Sequence, residues 1–179
     1  GDVYTKAQII NLLETGIFVI IDEAYLEFTG EESSIALINE YKNLIVTKTF
    51  SKAFGAAGCR VGFLVSHKEN MKYLNKFRLM YEINSIGAKY TEHILDNIVY
   101  FQDYFKEMKD KKSEFVSKMI NYGYTIIDTD CSWFFLKRFD SKDNLKYFND
   151  LGMSVRTLTL PDGEEYIKFN YDLNLNNVL

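Results

Sequence analysis

Gly16-Ile-Phe-Val-Ile-Ile21, stopped by Asp22, is the longest apolar run in the chain. Its central part, Phe18-Val-Ile-Ile21, has the length and unbroken hydrophobicity of a strand buried on both faces of a parallel sheet. Upstream, Lys6 to Leu13 has helical spacing with Ala7, Ile10 and Leu13 on one face. Thr5 is placed to cap that helix and Gly16 to end it. Downstream, Ser34 to Tyr41 reads as a helix, Leu44-Ile-Val-Thr47 as a second strand, and Val61-Gly-Phe-Leu-Val65 as a third after a glycine-bearing loop. Strand, helix, strand is the crossover unit of an α/β sheet. Residues 1 to about 66 therefore read as part of a doubly wound sheet, not a whole one.

The rest of the chain has a different rhythm. A helix is expected from Lys68 to Arg78, and Tyr81 to Gly87 reads as a break. From residue 90 to about 121 one amphipathic pattern runs through Ile94, Ile98, Phe101, Phe105, Met108, Phe115 and Met119. It fits a single connector helix of about 45 Å, or two shorter helices. Gly123 ends it. Tyr124-Thr-Ile-Ile127 and Ser132 to Lys137 are strands by their aromatic and branched residues. Asn144 to Leu151 is a short helix closed by Gly152. Ser154 to Leu158 and Tyr166 to Asn170 are further strands, separated by the turn Leu160-Pro-Asp-Gly163. The expected organisation is residues 1–90 in a large domain and 91–179 in a small α+β domain that begins with the connector helix.

Bulk properties narrow the partners. With 179 residues, 47% hydrophobic content and a net charge of −4, the chain has the make-up of a globular protein and offers no basic surface for nucleic acid. It has no apolar run near the roughly 18 residues of a membrane span, and no polybasic membrane address. No secretory leader is legible, and Cys59 and Cys131 lack metal-ligand spacing, so reduced thiols in a cytoplasmic protein are expected. Proline occurs once, at Pro161, where about nine would be average.

Three short segments carry the chemistry. Asp22-Glu-Ala-Tyr25 ends the first strand, Thr49-Phe-Ser-Lys-Ala-Phe-Gly55 follows the second, and Gly58-Cys-Arg-Val-Gly62 leads into the third. Ligands of open α/β sheets sit outside the carboxyl ends of the strands, so all three reach one rim. Lys52 lies among glycines and phenylalanines that could desolvate its amine, and such a lysine suits a Schiff base with a carbonyl cofactor. Asp22 could pair with a protonated pyridine nitrogen while Tyr25 bonds a ring oxygen. Ser51 and Arg60 could hold a phosphate, and Gly55 and Gly58 would let backbone approach closely. Singly, each residue has a plain alternative: a strand-end aspartate forms a turn, a loop lysine is surface charge, and an arginine before a strand makes a salt bridge. The set, in this order, is what points to a site.

Thr49-Phe-Ser-Lys-Ala-Phe-Gly-Ala-Ala-Gly-Cys-Arg-Val-Gly62, preceded by Asp22-Glu-Ala-Tyr-Leu-Glu-Phe28, resembles the fold-type-I aminotransferases that depend on pyridoxal 5'-phosphate (PLP), and most of all their histidinol-phosphate aminotransferase branch. The resemblance covers essentially the whole chain, more weakly after residue 90. It implies the α/β large-domain sheet of the PLP-dependent transferases followed by a small α+β domain. It implies that Lys52 carries the cofactor and later moves the proton, that Asp22 and Tyr25 meet the pyridine ring, and that Ser51 and Arg60 bind the phosphate. The branch places substrate-binding arginines in the small domain. Arg156 matches one, and Lys168 stands at the other, keeping the charge without the two-pronged geometry of arginine. Gly1 resembles the end of a Pro-Thr-Gly segment of the family, so by this likeness about half of a family chain lies upstream.

The activity so implied is amino transfer between a phosphorylated or carboxylated amine and a 2-oxo acid, in a cytoplasmic homodimer of the full protein. Related decarboxylases and lyases of amino-acid phosphates share these motifs and are the alternative. The 179 residues alone are expected to be an inactive piece of such an enzyme.

Overall fold

The structure is a computed structural model that describes residues 3–138, 144–150, 152 and 155–171. The chain folds as two units, one from Val3 to Phe105 and one carrying Lys106 onward.

The first unit begins with helix α1 (Lys6–Glu14), entered through a full capping box. The Thr5 hydroxyl accepts from the Gln8 backbone at 3.3 Å, and the Gln8 side chain accepts from the Thr5 backbone at 2.8 Å. Two orphan N–H groups of the helix start are thereby satisfied. Gly16 follows the helix at φ +79°, where glycine avoids the Cβ penalty. Strand β1 (Val19–Asp22) pairs in parallel with β2 (Leu44–Thr49), which pairs antiparallel with β3 (Gly62–Ser66). Leu13, Val19, Leu37, Ile38, Leu44 and Val46 form the core on one face of this sheet.

Among the described residues β1 lies at the edge of this sheet, and Ile20 is 67% exposed. One expectation is corrected here: the crossover from β1 to β2 is not an α-helix. It consists of two 3-10 turns, Leu26–Phe28 and Ser34–Leu37, the second capped by the Ser33 hydroxyl. Here side chains bonding to nearby backbone won over helical spacing.

Helix α2 (Lys68–Leu74) is shorter than its spacing suggested and runs into a 3-10 turn, Asn75–Phe77. Helix α3 (Ser85–Asp96) starts inside the expected break, because Asn84 caps it by accepting from the Gly87 N–H at 2.7 Å. The long amphipathic pattern resolves into two helices, α3 and α4 (Ile98–Asn121). They part at Asn97, whose side chain donates to the His93 carbonyl at 2.8 Å. Helix α4 is about 36 Å long by its residue count, and the boundary between the units falls within it.

The second unit contains β4 (Tyr124–Ile127), β5 (Trp133–Arg138), α5 (Asn144–Asp150), β6 (Arg156–Thr159) and β7 (Glu165–Asn170). The strands form one antiparallel sheet in the order β4-β5-β7-β6. Phe134, Leu136, Ile167 and Phe169 point to its buried face, where Phe115 and Phe148 meet Phe169 with ring centroids 6.2 and 5.6 Å away. Lys112, buried on α4, donates to the carbonyls of Thr129 and Cys131 at 2.5 and 2.8 Å. It ties the helix to the β4–β5 connection. The Leu160–Gly163 turn closes with a 2.9 Å backbone bond. Both cysteines are free, and burial pushes the Cys131 thiol upward.

Candidate functional site

Asp22 ends β1, and Lys52 lies just past the end of the neighbouring parallel strand β2. The topology thus brings the carboxyl end of β1 and the β2–β3 loop to the same rim, as the sequence indicated. Asp22 is exposed; its Oδ1 accepts from the Ala24 N–H at 3.1 Å and from the Thr47 hydroxyl at 3.3 Å. Its Oδ2 takes no hydrogen bond among the described residues. The Lys52 ammonium lies 5.5 Å from the centre of the Tyr25 ring. That cation-π contact joins two of the three motifs directly.

The loop from Phe50 to Val61 is closed on itself. Phe50 N–H donates to the Val61 carbonyl at 3.1 Å, Ala56 N–H to Phe50 at 3.0 Å, and Gly55 N–H to Lys52 at 3.1 Å. Phe50, Ala56 and Val61 form a core with Ile94, and Phe54 packs on it. This corrects the expected environment of Lys52. Phe50 and Phe54 turn into the core and not onto the amine, and Lys52 is exposed. Ser51 is half-buried, its N–H donating to the Thr49 hydroxyl at 3.1 Å. Gly55 adopts φ +64°, a left-handed turn that favours glycine. Gly58 has open space where a Cβ would be, with no atom of the chain within 4 Å.

Arg60 is the one described non-glycine residue with positive φ, at 55°. Its guanidinium donates only to the Ala57 carbonyl, at 3.3 Å, among the described residues. The start of α3 holds this corner. Asn84 Nδ2 donates to the Cys59 carbonyl at 3.0 Å, and a Cβ on Gly87 would meet that same oxygen at 2.7 Å. Sequence reasoning missed both residues; the asparagine cap signal at Asn84-Ser85 could have found them.

It also missed a buried polar hub. Glu23, 4% exposed, accepts from the Ser33 hydroxyl and the Ser34 N–H at 2.6 Å each. Lys48 Nζ lies 3.4 Å from Glu23 and 2.8 Å from Glu27. By contrast Lys52, Asp22 and Arg60 carry no ion pair among the described residues.

Arg156 and Lys168 belong to the other unit, where they face each other across β6 and β7. Like charges directly opposite repel, and neither has an ion-pair partner among the described residues. Lys168 Nζ sits 4.2 Å from the Trp133 ring centre. Among the described residues no cluster of His, Cys, Asp and Glu could hold a metal ion, and no helix is long and apolar enough to cross a membrane.

A model of the family described as aminotransferase class I and II matches residues 1–158. Over 159 residues the chain is 31% identical to a histidinol-phosphate aminotransferase of Thermotoga sp. (strain RQ2), covering 88% of this chain and 47% of that protein. It is 39% identical over 116 residues to a dihydroxyacetone phosphate transaminase of Campylobacter jejuni, covering 65% of this chain and 30% of that one. Among solved structures, L-threonine-O-3-phosphate decarboxylase from Porphyromonas gingivalis superposes with a TM-score of 0.83 at 22% identity, over 99% of this chain and 58% of that one. Histidinol-phosphate aminotransferase from Clostridium acetobutylicum gives 0.80 at 20% identity, over 99% and 57%. These likenesses show the fold. The chain spans about half the length of the curated relatives it matches.

Proposed function

The chain belongs to the aminotransferase class I and II family, and from that premise we propose that the whole protein is a PLP-dependent aminotransferase. It moves an amino group between a phosphorylated or carboxylated amine and a 2-oxo acid, as a cytoplasmic homodimer. The observation that carries this reading is the contrast at the sheet rim. Lys52, Asp22 and Arg60 stand at the ends of adjacent strands without ion pairs among the described residues, while Lys48 nearby is doubly paired.

The donor set fits the cofactor. An exposed amine suits an aldehyde, a carboxylate with a free oxygen suits a protonated ring nitrogen, and an arginine with most donors unused suits a phosphate. Lys52 would attach the cofactor through Nζ. Asp22 would pair with the ring nitrogen, Tyr25 would bond the ring oxygen, and Ser51 and Arg60 would hold the phosphate. The bound cofactor supplies an electron sink for the substrate carbon. Lys52 Nζ would hold and move the proton at the substrate carbon. Arg156 and Lys168 would take the anionic group of the substrate, which would also relieve their mutual repulsion.

The test uses the full-length protein. Borohydride reduction after addition of PLP is expected to fix the cofactor to the peptide containing Lys52, and Lys52→Ala to abolish both that label and the visible absorption band. A band that survives Lys52→Ala unchanged would refute the reading. The fold is shared with the threonine-phosphate decarboxylase, so the product assay measures both keto product and carbon dioxide. Carbon dioxide without keto product would replace amino transfer by decarboxylation.

A further inference from the structure

We propose that Glu23, acting through Lys48, is a positioning residue of the cofactor site: it fixes Asp22 and Tyr25 relative to the strand that leads to Lys52. This rests on the reading of Asp22, Tyr25 and Lys52 given above. Glu23 lies inside the Asp22–Tyr25 turn but turns away from the rim, into the unit's interior. Its carboxylate gathers the Ser33 hydroxyl and the Ser34 N–H at 2.6 Å and the Lys48 ammonium at 3.4 Å. Its own N–H donates to the Thr47 carbonyl at 2.9 Å, and its carbonyl accepts from the Leu26 N–H at 3.2 Å. Lys48 closes the figure by reaching Glu27 at 2.8 Å, on the 3-10 turn directly after Tyr25.

Three segments are therefore locked by one charged cluster: the turn with Asp22 and Tyr25, the start of the Ser34–Leu37 turn, and strand β2. A sheet needs no buried carboxylate for its own sake. Desolvating one is costly unless it is fully bonded, and a hydrophobic residue of similar shape is often as stable. What the charged cluster adds is geometry. Its hydrogen bonds to ions are stronger and more directional than neutral ones, and they converge beside the two side chains that would meet the cofactor ring. Tyr25 needs such restraint, because it precedes only a three-residue 3-10 turn.

The experiment titrates PLP into the apo form of the full-length protein and follows two readouts besides turnover. One is the dissociation constant, and the other is the pH midpoint of the bound cofactor's visible band. Glu23→Gln keeps the shape and removes the charge facing Lys48. It is expected to leave a cooperative apo melt, to raise the dissociation constant about tenfold, and to move the band's midpoint. Lys48→Arg, which keeps the ion pair, is expected to hold the wild-type midpoint. Lys42→Met, which breaks an exposed ion pair with Glu69 in the same unit, is expected to change neither readout. If Glu23→Gln lowers the apo melting temperature while both readouts stay wild type, the cluster is a brace and the proposal is wrong. Should Glu23→Gln fail to fold, Ser33→Ala removes one donor to the same carboxylate. A roughly threefold weaker affinity supports the proposal, and an unchanged one overturns it. A wild-type protein with no Lys52-dependent band would instead refute the function from which this inference starts.

Discussion

Lys48 is held by two carboxylates, Glu27 at 2.8 Å and Glu23 at 3.4 Å, with its side chain 16% exposed. Lys52, four positions on, is exposed, and its ammonium meets the face of Tyr25 with no ion pair among the described residues. Both are lysines of one strand-and-loop segment, and their chemical types are identical. Their difference comes from the pleat. Lys48 lies inside β2, on the face shared with Leu44 and Val46, which are fully buried. Lys52 lies past the strand's end, where the chain has left the sheet. A lysine whose charge is spent on neighbours stabilises the fold, and one whose charge is unspent remains available to a ligand.

The sharpest way to break this comparison is to replace each lysine by methionine and measure urea unfolding. Lys48→Met strands Glu23 without its cation, and a loss of about 3 kcal/mol is expected. Lys52→Met removes no ion pair among the described residues and should stay within about 0.5 kcal/mol of wild type. Equal losses for the two would refute the assignment of roles. Adding Glu23→Gln to Lys48→Met should recover part of the loss, since the buried charge then disappears with its partner.

Smaller effects sharpen how the Arg60 corner is held. Gly87→Ala puts a methyl group 2.7 Å from the Cys59 carbonyl, and the displaced corner is expected to cost about 1–3 kcal/mol. A wild-type melt for that variant would show that the start of α3 does not clamp the corner. Thr5→Ala removes one half of the capping box at the start of α1, and a loss of about 1 kcal/mol is expected in the same unfolding measurement. Finally, thiol labelling of the folded chain should modify the half-buried Cys59 well before the buried Cys131, whose thiol is pushed upward by desolvation. The opposite order would contradict the packing around β5.

Much of the candidate site was legible because its residues sit on loops and strand ends, where a residue type is chosen for chemistry more than for packing. Asp22, Tyr25, Ser51, Lys52 and Arg60 fall in three short segments, so the order of types suffices to single them out as candidates. Glu23, Lys48, Asn84 and Gly87 were not legible. Their roles depend on partners up to 28 positions away, and a glutamate or lysine in a list of residues is indistinguishable from surface charge. The fold was read with the same asymmetry. The helix of Lys6 to Glu14 and the turn at Pro161 announce themselves through caps and turn residues. The crossover at Ser34 did not, because helical spacing says nothing of the Ser33 and Glu23 bonds that shape it.

The amino-acid sequence by itself determined the three segments around the rim, the candidate loop lysine and the family likeness, since each rests on local periodicity or on contiguous motifs. Only the tertiary structure decided that Phe50 and Phe54 serve the core and leave Lys52 exposed, and that Lys48 is spoken for by Glu23 and Glu27. Those are matters of which side a residue faces and what lies across from it. Pairing between strands and turns settles them, and no run of neighbouring residues encodes it.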